Sequence, residues 1–327
     1  MSKGLGMVIG SSVAPERLAT AARMSEAAGF DQLWLAEDFF FTGGISGANI
    51  ALGATTTIRV GLGIVSAVVR HPALLAMEIA TTARAHPGRF IPGIGLGVPG
   101  WMRQMDLMPD SPLTAVRECV TSVRRLLGGE EITTRGKVFS FDRVHLVYPQ
   151  TEPIALHLGV IGPKMLELSG EVADGSVLSV ASGIDYIEWA RERIDIGRRR
   201  GGRADQHHLT VFAIYALDDD PDRAKEAARR TLGFYKASGG RNALTDIAGI
   251  SDELEALMTR GGIEGVVTGM PDWWVEKLTV SGSPSEVADK IGRLRAAGAD
   301  SVALFPAQGD KVEDLIDRTA AEVIPLI

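Results

Sequence analysis

Ile58-Arg-Val-Gly-Leu-Gly-Ile-Val65 is a short apolar run with glycine at alternate positions. It is followed by Pro72, a helical stretch to about Arg84, and a second apolar run, Arg89-Phe-Ile-Pro-Gly-Ile94. A buried parallel strand reads as such a run, and proline suits a first helical turn because its missing N–H has no partner there. The stretch is therefore one strand–helix–strand unit. Working outward, the unit recurs. Leu5-Gly-Met-Val-Ile9 precedes a helix over 16–28 that stops at Gly29, and Gln32-Leu-Trp-Leu-Ala36 forms the second strand. A weak helical segment, 50–56, leads into the opening run.

Beyond it, a helix over 113–127 and a looser excursion over 132–148, read as a small hairpin, precede the fifth strand, 154–159. A helix over 164–171, a strand over 175–179, a helix over 184–200, a strand over 209–215 and a helix over 221–235 follow. The segment 239–280 breaks the rhythm. Ser283-Pro-Ser-Glu286 has the serine, proline and glutamate of a helix start, and Ser301-Val-Ala-Leu-Phe305 is the eighth strand. Eight strands alternating with helices predict a (β/α)₈ TIM barrel with inserted segments, one domain over 1–327. A doubly wound sheet is the alternative. It calls for G-x-G-x-x-G opening directly into a helix, and Gly93-Ile-Gly-Leu-Gly97 has neither the spacing nor the continuation.

The 327 residues are 45% hydrophobic and 23% charged, enough for a packed core, and the formal net charge of −7 disfavours a nucleic-acid partner. No apolar run is long enough to span a membrane, and the start lacks a signal-peptide pattern, so a cytoplasmic location is expected. Cys119, the lone cysteine, is expected as a small core residue. The basic run Arg198, Arg199, Arg200 and Arg203 is expected at a solvated helix end. The histidines form no metal-ligand pattern, so no metal site is expected; His71, before Pro72, belongs at a helix start.

In such a barrel, residues just past the carboxyl ends of the strands converge on one mouth. Glu37 and Asp38 follow strand two and are the candidate catalytic pair, as acid and base or in orienting a cofactor hydroxyl, with capping or pairing to an arginine such as Arg70 or Arg103 as the structural reading of the same residues. The glycines at 61, 63, 93, 95 and 97 point to something approaching the backbone, either a flat ring or close packing inside a narrow barrel. Gly159-Val-Ile-Gly162-Pro-Lys164, ahead of a helix, can present amides to a phosphate. Phe39 to Phe41 and Trp101 to Met108 can wall an apolar substrate pocket.

These segments, with Ala27-Ala-Gly-Phe-Asp31, Trp34-Leu-Ala-Glu-Asp38, Arg70-His-Pro72, Gly88-Arg-Phe90, Glu171-Val-Ala-Asp-Gly175, Gly282-Ser-Pro-Ser-Glu-Val-Ala288 and Ala297-Gly-Ala-Asp300, occur in an order that resembles the luciferase-like monooxygenase superfamily. The resemblance is to its branch of oxidoreductases dependent on coenzyme F420, and within that to the methylene-tetrahydromethanopterin reductases. It implies a luciferase-like barrel, a deazaflavin in the mouth and a non-proline cis peptide at Gly63-Ile64. Cofactor contacts implied by it are Gly63, Ile64, Val65, Gly95, Gly97, Val98, Val160, Ile161 and Gly162. Its implied activity is hydride transfer between the deazaflavin C5 and a small organic substrate, in a homodimer. An FMN-dependent monooxygenase using O₂ and a non-catalytic cofactor-binding protein are the alternatives. Three departures stand out. Glu37-Asp38 replaces the aspartate–histidine pair common after strand two, Val98 stands where some deazaflavin dehydrogenases have an acid, and Val8 stands where the reductases carry a glutamate.

Overall fold

The computed structural model describes residues 4–327. Its central feature is a ring of parallel strands. These are β1 (Leu5–Ile9), β2 (Gln32–Leu35), β3 (Arg59–Leu62 continuing as Val65–Ser66) and β4 (Phe90–Ile91 continuing as Gly93–Gly95). After them come β5 (His157–Val160), β6 (Gly175–Leu178), β7 (His208–Leu217) and β8 (Ser301–Pro306). Each strand pairs with its successor, and β8 returns to β1, so the eight-stranded sheet closes and leaves no edge. The ladder between β3 and β4 has two halves, broken at Gly63-Ile64 on one strand and at Pro92, which has no N–H to donate, on the other.

Helices cover the outside, where leucine, isoleucine and valine from alternate strand positions meet them; Leu33, Val60, Leu62, Ile94, Leu158, Val211 and Leu304 are all fully buried there. Inside, Trp34 occupies the middle of the barrel. Its indole packs edge-on to Phe212, with ring centroids 5.5 Å apart, and fills the space that Gly61 leaves by having no side chain.

Three sequence expectations are refined. The helix read weakly over 50–56 runs Gly44–Ala54, its glycines having hidden the periodicity. The excursion before β5 is an antiparallel hairpin, Ile132–Arg135 with Ser140–Val144. The irregular segment folds into helices Ala243–Ala248, Ser251–Gly269 and Asp272–Leu278, the second broken at Gly261 and Gly262, and then a short strand, Val280–Gly282, that pairs with the end of β7. Other readings are realised directly. Cys119 is buried in the core, His71 Nδ1 accepts from the Ala73 amide at the start of the 72–85 helix, and Glu286 accepts from the Ser283 amide at 2.8 Å. Within the basic run, Arg198 pairs with Asp195, Arg200 with Glu167 and Arg203 with Asp174.

Candidate active site

At the carboxyl end of β2 the two acids have different surroundings. Glu37 is 7% exposed at its side chain, and both of its oxygens are occupied. Arg70 donates to Oε1 at 2.7 Å and to Oε2 at 2.8 Å, and the Gly44 amide donates to Oε2 at 2.8 Å. Arg70 also meets Glu78 at 3.2 Å. Hydrogen bonding to Glu37 raises the Arg70 pKa further above its ordinary value, against the opposing effect of burial. A bidentate, half-buried arginine–carboxylate pair that also caps the 44–54 helix fixes the loop after β2. Glu37 is thus held as a structural anchor of the mouth.

Asp38 is different. Its Oδ2 accepts from Ser11 Oγ at 2.6 Å, a contact between the ends of β1 and β2, and Oδ1 has no side-chain partner among the described residues. Tyr235 lies close by on the helix Pro221–Gly239, and its ring packs edge-on to Phe305 of β8 at 5.7 Å. Burial, and then the negative charge of Asp38, push the Tyr235 phenol above its usual range. One carboxylate oxygen held by a serine, one left open and a neutral phenol nearby make a group that can take and return a proton. The ring of Phe39, the next residue, packs against Trp101 with centroids 6.0 Å apart, while Phe40 and Phe41 are exposed.

The nine expected cofactor contacts divide by what surrounds them. Gly63 sits against the Phe212 ring, and a side chain on Gly95 or on Gly159 would collide with Ile64. Val65 and Val160 are buried, Val65 packing beside Gly44. Much of the glycine pattern therefore makes room for the protein's own side chains, the packing alternative of the sequence reading. Ile64, Gly97, Ile161 and Gly162 are half-buried and Val98 is exposed, so these keep free surface. The Gly63-Ile64 peptide is cis. Gly162 precedes the helix Pro163–Val172, whose first turn has no side-chain cap, and a side chain at Gly162 would meet nothing within 4 Å. Open amides and open space there suit an anionic group.

Sequence reasoning missed three residues of this region or near it: Ser11, Tyr235 and Lys236. Ser11 follows a strand end and could have been found by the rule that located Asp38. The other two come from the helix after β7, where a tyrosine or lysine reads as ordinary surface. Lys236 is 4% exposed and makes no ion pair among the described residues; burial pulls its ammonium down to about 8.

Comparison with known proteins agrees with this fold. The model of the luciferase-like monooxygenase family matches residues 3–301. The 5,10-methylenetetrahydromethanopterin reductase of Archaeoglobus fulgidus is 29% identical over 93% of each chain. Among solved structures, the coenzyme F420-dependent tetrahydromethanopterin reductase of Methanopyrus kandleri superposes with a TM-score of 0.86 at 24% identity, covering 98% of each chain. An F420-dependent secondary alcohol dehydrogenase solved with an F420-acetone adduct superposes with a TM-score of 0.81 at 21% identity over 100% of this chain and 99% of that one. The chain belongs to the luciferase-like monooxygenase family.

Proposed function

We propose that the protein is an F420-dependent oxidoreductase acting on a small organic substrate. The observation that carries this reading is the site around Asp38, a carboxylate with one oxygen held by Ser11 and the Tyr235 phenol nearby, in a chain two of whose near-full-length relatives are named as F420 enzymes. The residues present fit such a group. Ile64, Gly97 and Val98 would hold the ring from the side of β3 and β4, and Val160, Ile161 and Gly162 would hold its side chain, with the uncapped 163–172 helix facing a phosphate. When bound, F420 supplies a carbon that accepts or donates hydride.

The chain's own part is proton handling and placement. Asp38 Oδ1 takes a proton from the substrate when hydride leaves it, and returns that proton when hydride is delivered. Ser11 keeps Asp38 in one orientation, and the Glu37–Arg70 pair keeps the loop that carries it in place. Phe39 and Trp101 exclude water from the substrate side. The departures at Val8 and Val98 argue that the substrate differs from those of the reductases and of the dehydrogenases that carry acids there.

We read the chain as a homodimer. Support comes from Ile50, Leu74 and Met77, which are 42%, 54% and 49% exposed on the neighbouring 44–54 and 72–85 helices. The functional reading is tested by titrating the protein with F420 and with FMN while following tryptophan fluorescence. Saturable binding of F420 alone is expected. Tighter binding of FMN, together with oxygen consumption when the flavin is reduced, would overturn it in favour of a monooxygenase.

A further inference from the structure

The opposite end of the barrel is built as a second site. Gln32, Arg59, Phe90, His157 and His208 are the first residues of β2, β3, β4, β5 and β7, and together they line a cavity of about 590 Å³ bounded by the end of the 72–85 helix, the turn at Pro87 and Gly88, and the 150–155 loop. Its volume lies in the range of small-molecule sites. The cavity does not communicate with the catalytic mouth through the barrel, because Trp34 forms its inner wall and packs against Phe212 and the backbone of Gly61.

What sets this end apart is its polarity. Barrel interiors are filled mainly with branched apolar residues. Here a hydrogen-bonded chain runs from Trp34 Nε1 to Gln32 Oε1 at 2.8 Å, from Gln32 Nε2 to Ser301 Oγ at 3.1 Å, and on to His208 Nε2, 2.9 Å from that serine. That chain is internally satisfied. One group on the same wall, the Arg59 guanidinium, is not. His157 Nδ1 and Thr210 Oγ1 also lack a partner in the chain, but both atoms are closed off from the cavity, His157 Nδ1 lying against Gly175. The Arg59 guanidinium makes no hydrogen bond or ion pair among the described residues, although it is half-buried and close enough to repel a proton from both His157 and His208. A half-buried cation that lines a cavity and has no partner favours an anionic ligand there.

We propose that the amino-terminal end of the barrel binds a small organic anion whose carboxylate meets the Arg59 guanidinium. The charge favours an anion: the cavity is lined by Arg59 and Arg84 against a single acid, Glu152, and Arg84 is already turned to the Pro149 carbonyl at 2.8 Å. Its remaining walls favour an organic body, since Phe90, Ile91, Ile154 and Pro153 offer apolar surface that a bare inorganic ion would leave unused. A planar guanidinium matches a carboxylate with two parallel bonds.

Calorimetric titration of the full-length protein with benzoate, benzamide and inorganic phosphate tests this. Benzoate is expected to bind, with benzamide and phosphate each at least tenfold weaker. Arg59→Met is expected to weaken benzoate by tenfold or more while F420 binding at the other end stays within twofold. Ala155→Trp, which adds bulk at the exposed rim without touching the charges, is expected to abolish benzoate binding equally. No benzoate binding by the wild-type protein would overturn the proposal, as would phosphate binding in preference to it, or benzoate affinity unchanged in both variants. Because F420 affinity is read separately, failure here is distinguishable from failure of the catalytic reading.

Discussion

Two adjacent acids with nearly the same sequence context, Glu37 and Asp38, have distinct duties because of what reaches them from elsewhere in the chain. Arg70 and the Gly44 amide occupy Glu37, and Ser11 occupies only one oxygen of Asp38. Asp38→Asn is therefore expected to lower kcat by about 10²-fold or more, the scale of a lost general acid–base group, while the Kd for F420 changes within a few fold. Unchanged turnover across the pH range would remove Asp38 from the mechanism. Lys236 gives a different signal. Its folded-state pKa, about 8 through burial, lies below the ordinary 10.5, so between those values the unfolded chain binds the proton and the folded chain does not. Unfolding free energy should accordingly rise as pH increases from about 8 towards 10.5, and the burial penalty should be fully present below 8. Lys236→Met is expected to be more stable than wild type at pH 7 and to flatten that rise. Urea unfolding at stepped pH measures both, and parallel profiles for the two proteins would contradict the assignment.

The elements show why the fold was legible and the site only partly so. Every strand is a short apolar run set off by turn or helix signals, so all eight could be read from local pattern, as could the Ser283–Glu286 helix start. The 44–54 helix was obscured by Gly44, Gly47 and Gly53, and the 243–278 helices by paired glycines that break one of them. The glycines of β3 and β4 were ambiguous for a physical reason. A missing side chain announces that something else fills the space, and local sequence does not say whether that is a ligand or a residue from a neighbouring strand. For Gly61 the filler is Trp34, for Gly63 it is Phe212, and for Gly95 it is Ile64. Gly61→Val should consequently cost about 1–3 kcal/mol in urea unfolding, since the indole is fully buried and enclosed by the barrel. Wild-type stability in that variant would show that the interior has slack.

At the scale of the whole molecule, the closed sheet separates two ends with Trp34 and Phe212 between them. The carboxyl end gathers Ser11, Asp38, Ile64, Gly97 and Gly162, which sequence places far apart and closure brings together. Its outer face carries the apolar patch of Ile50, Leu74 and Met77, and sedimentation at micromolar concentration should give twice the mass of one chain; a concentration-independent monomer would contradict the dimer. The central claim is that hydride chemistry takes place at the Asp38 mouth. A crystal structure of the protein with F420 bound measures this most directly. The deazaflavin ring is expected between Ile64 and Val98, with its side chain along Val160 to Gly162 and Asp38 facing the substrate side of the ring. A ring bound at the amino-terminal cavity, or at the mouth with Asp38 turned away from it, would contradict the account.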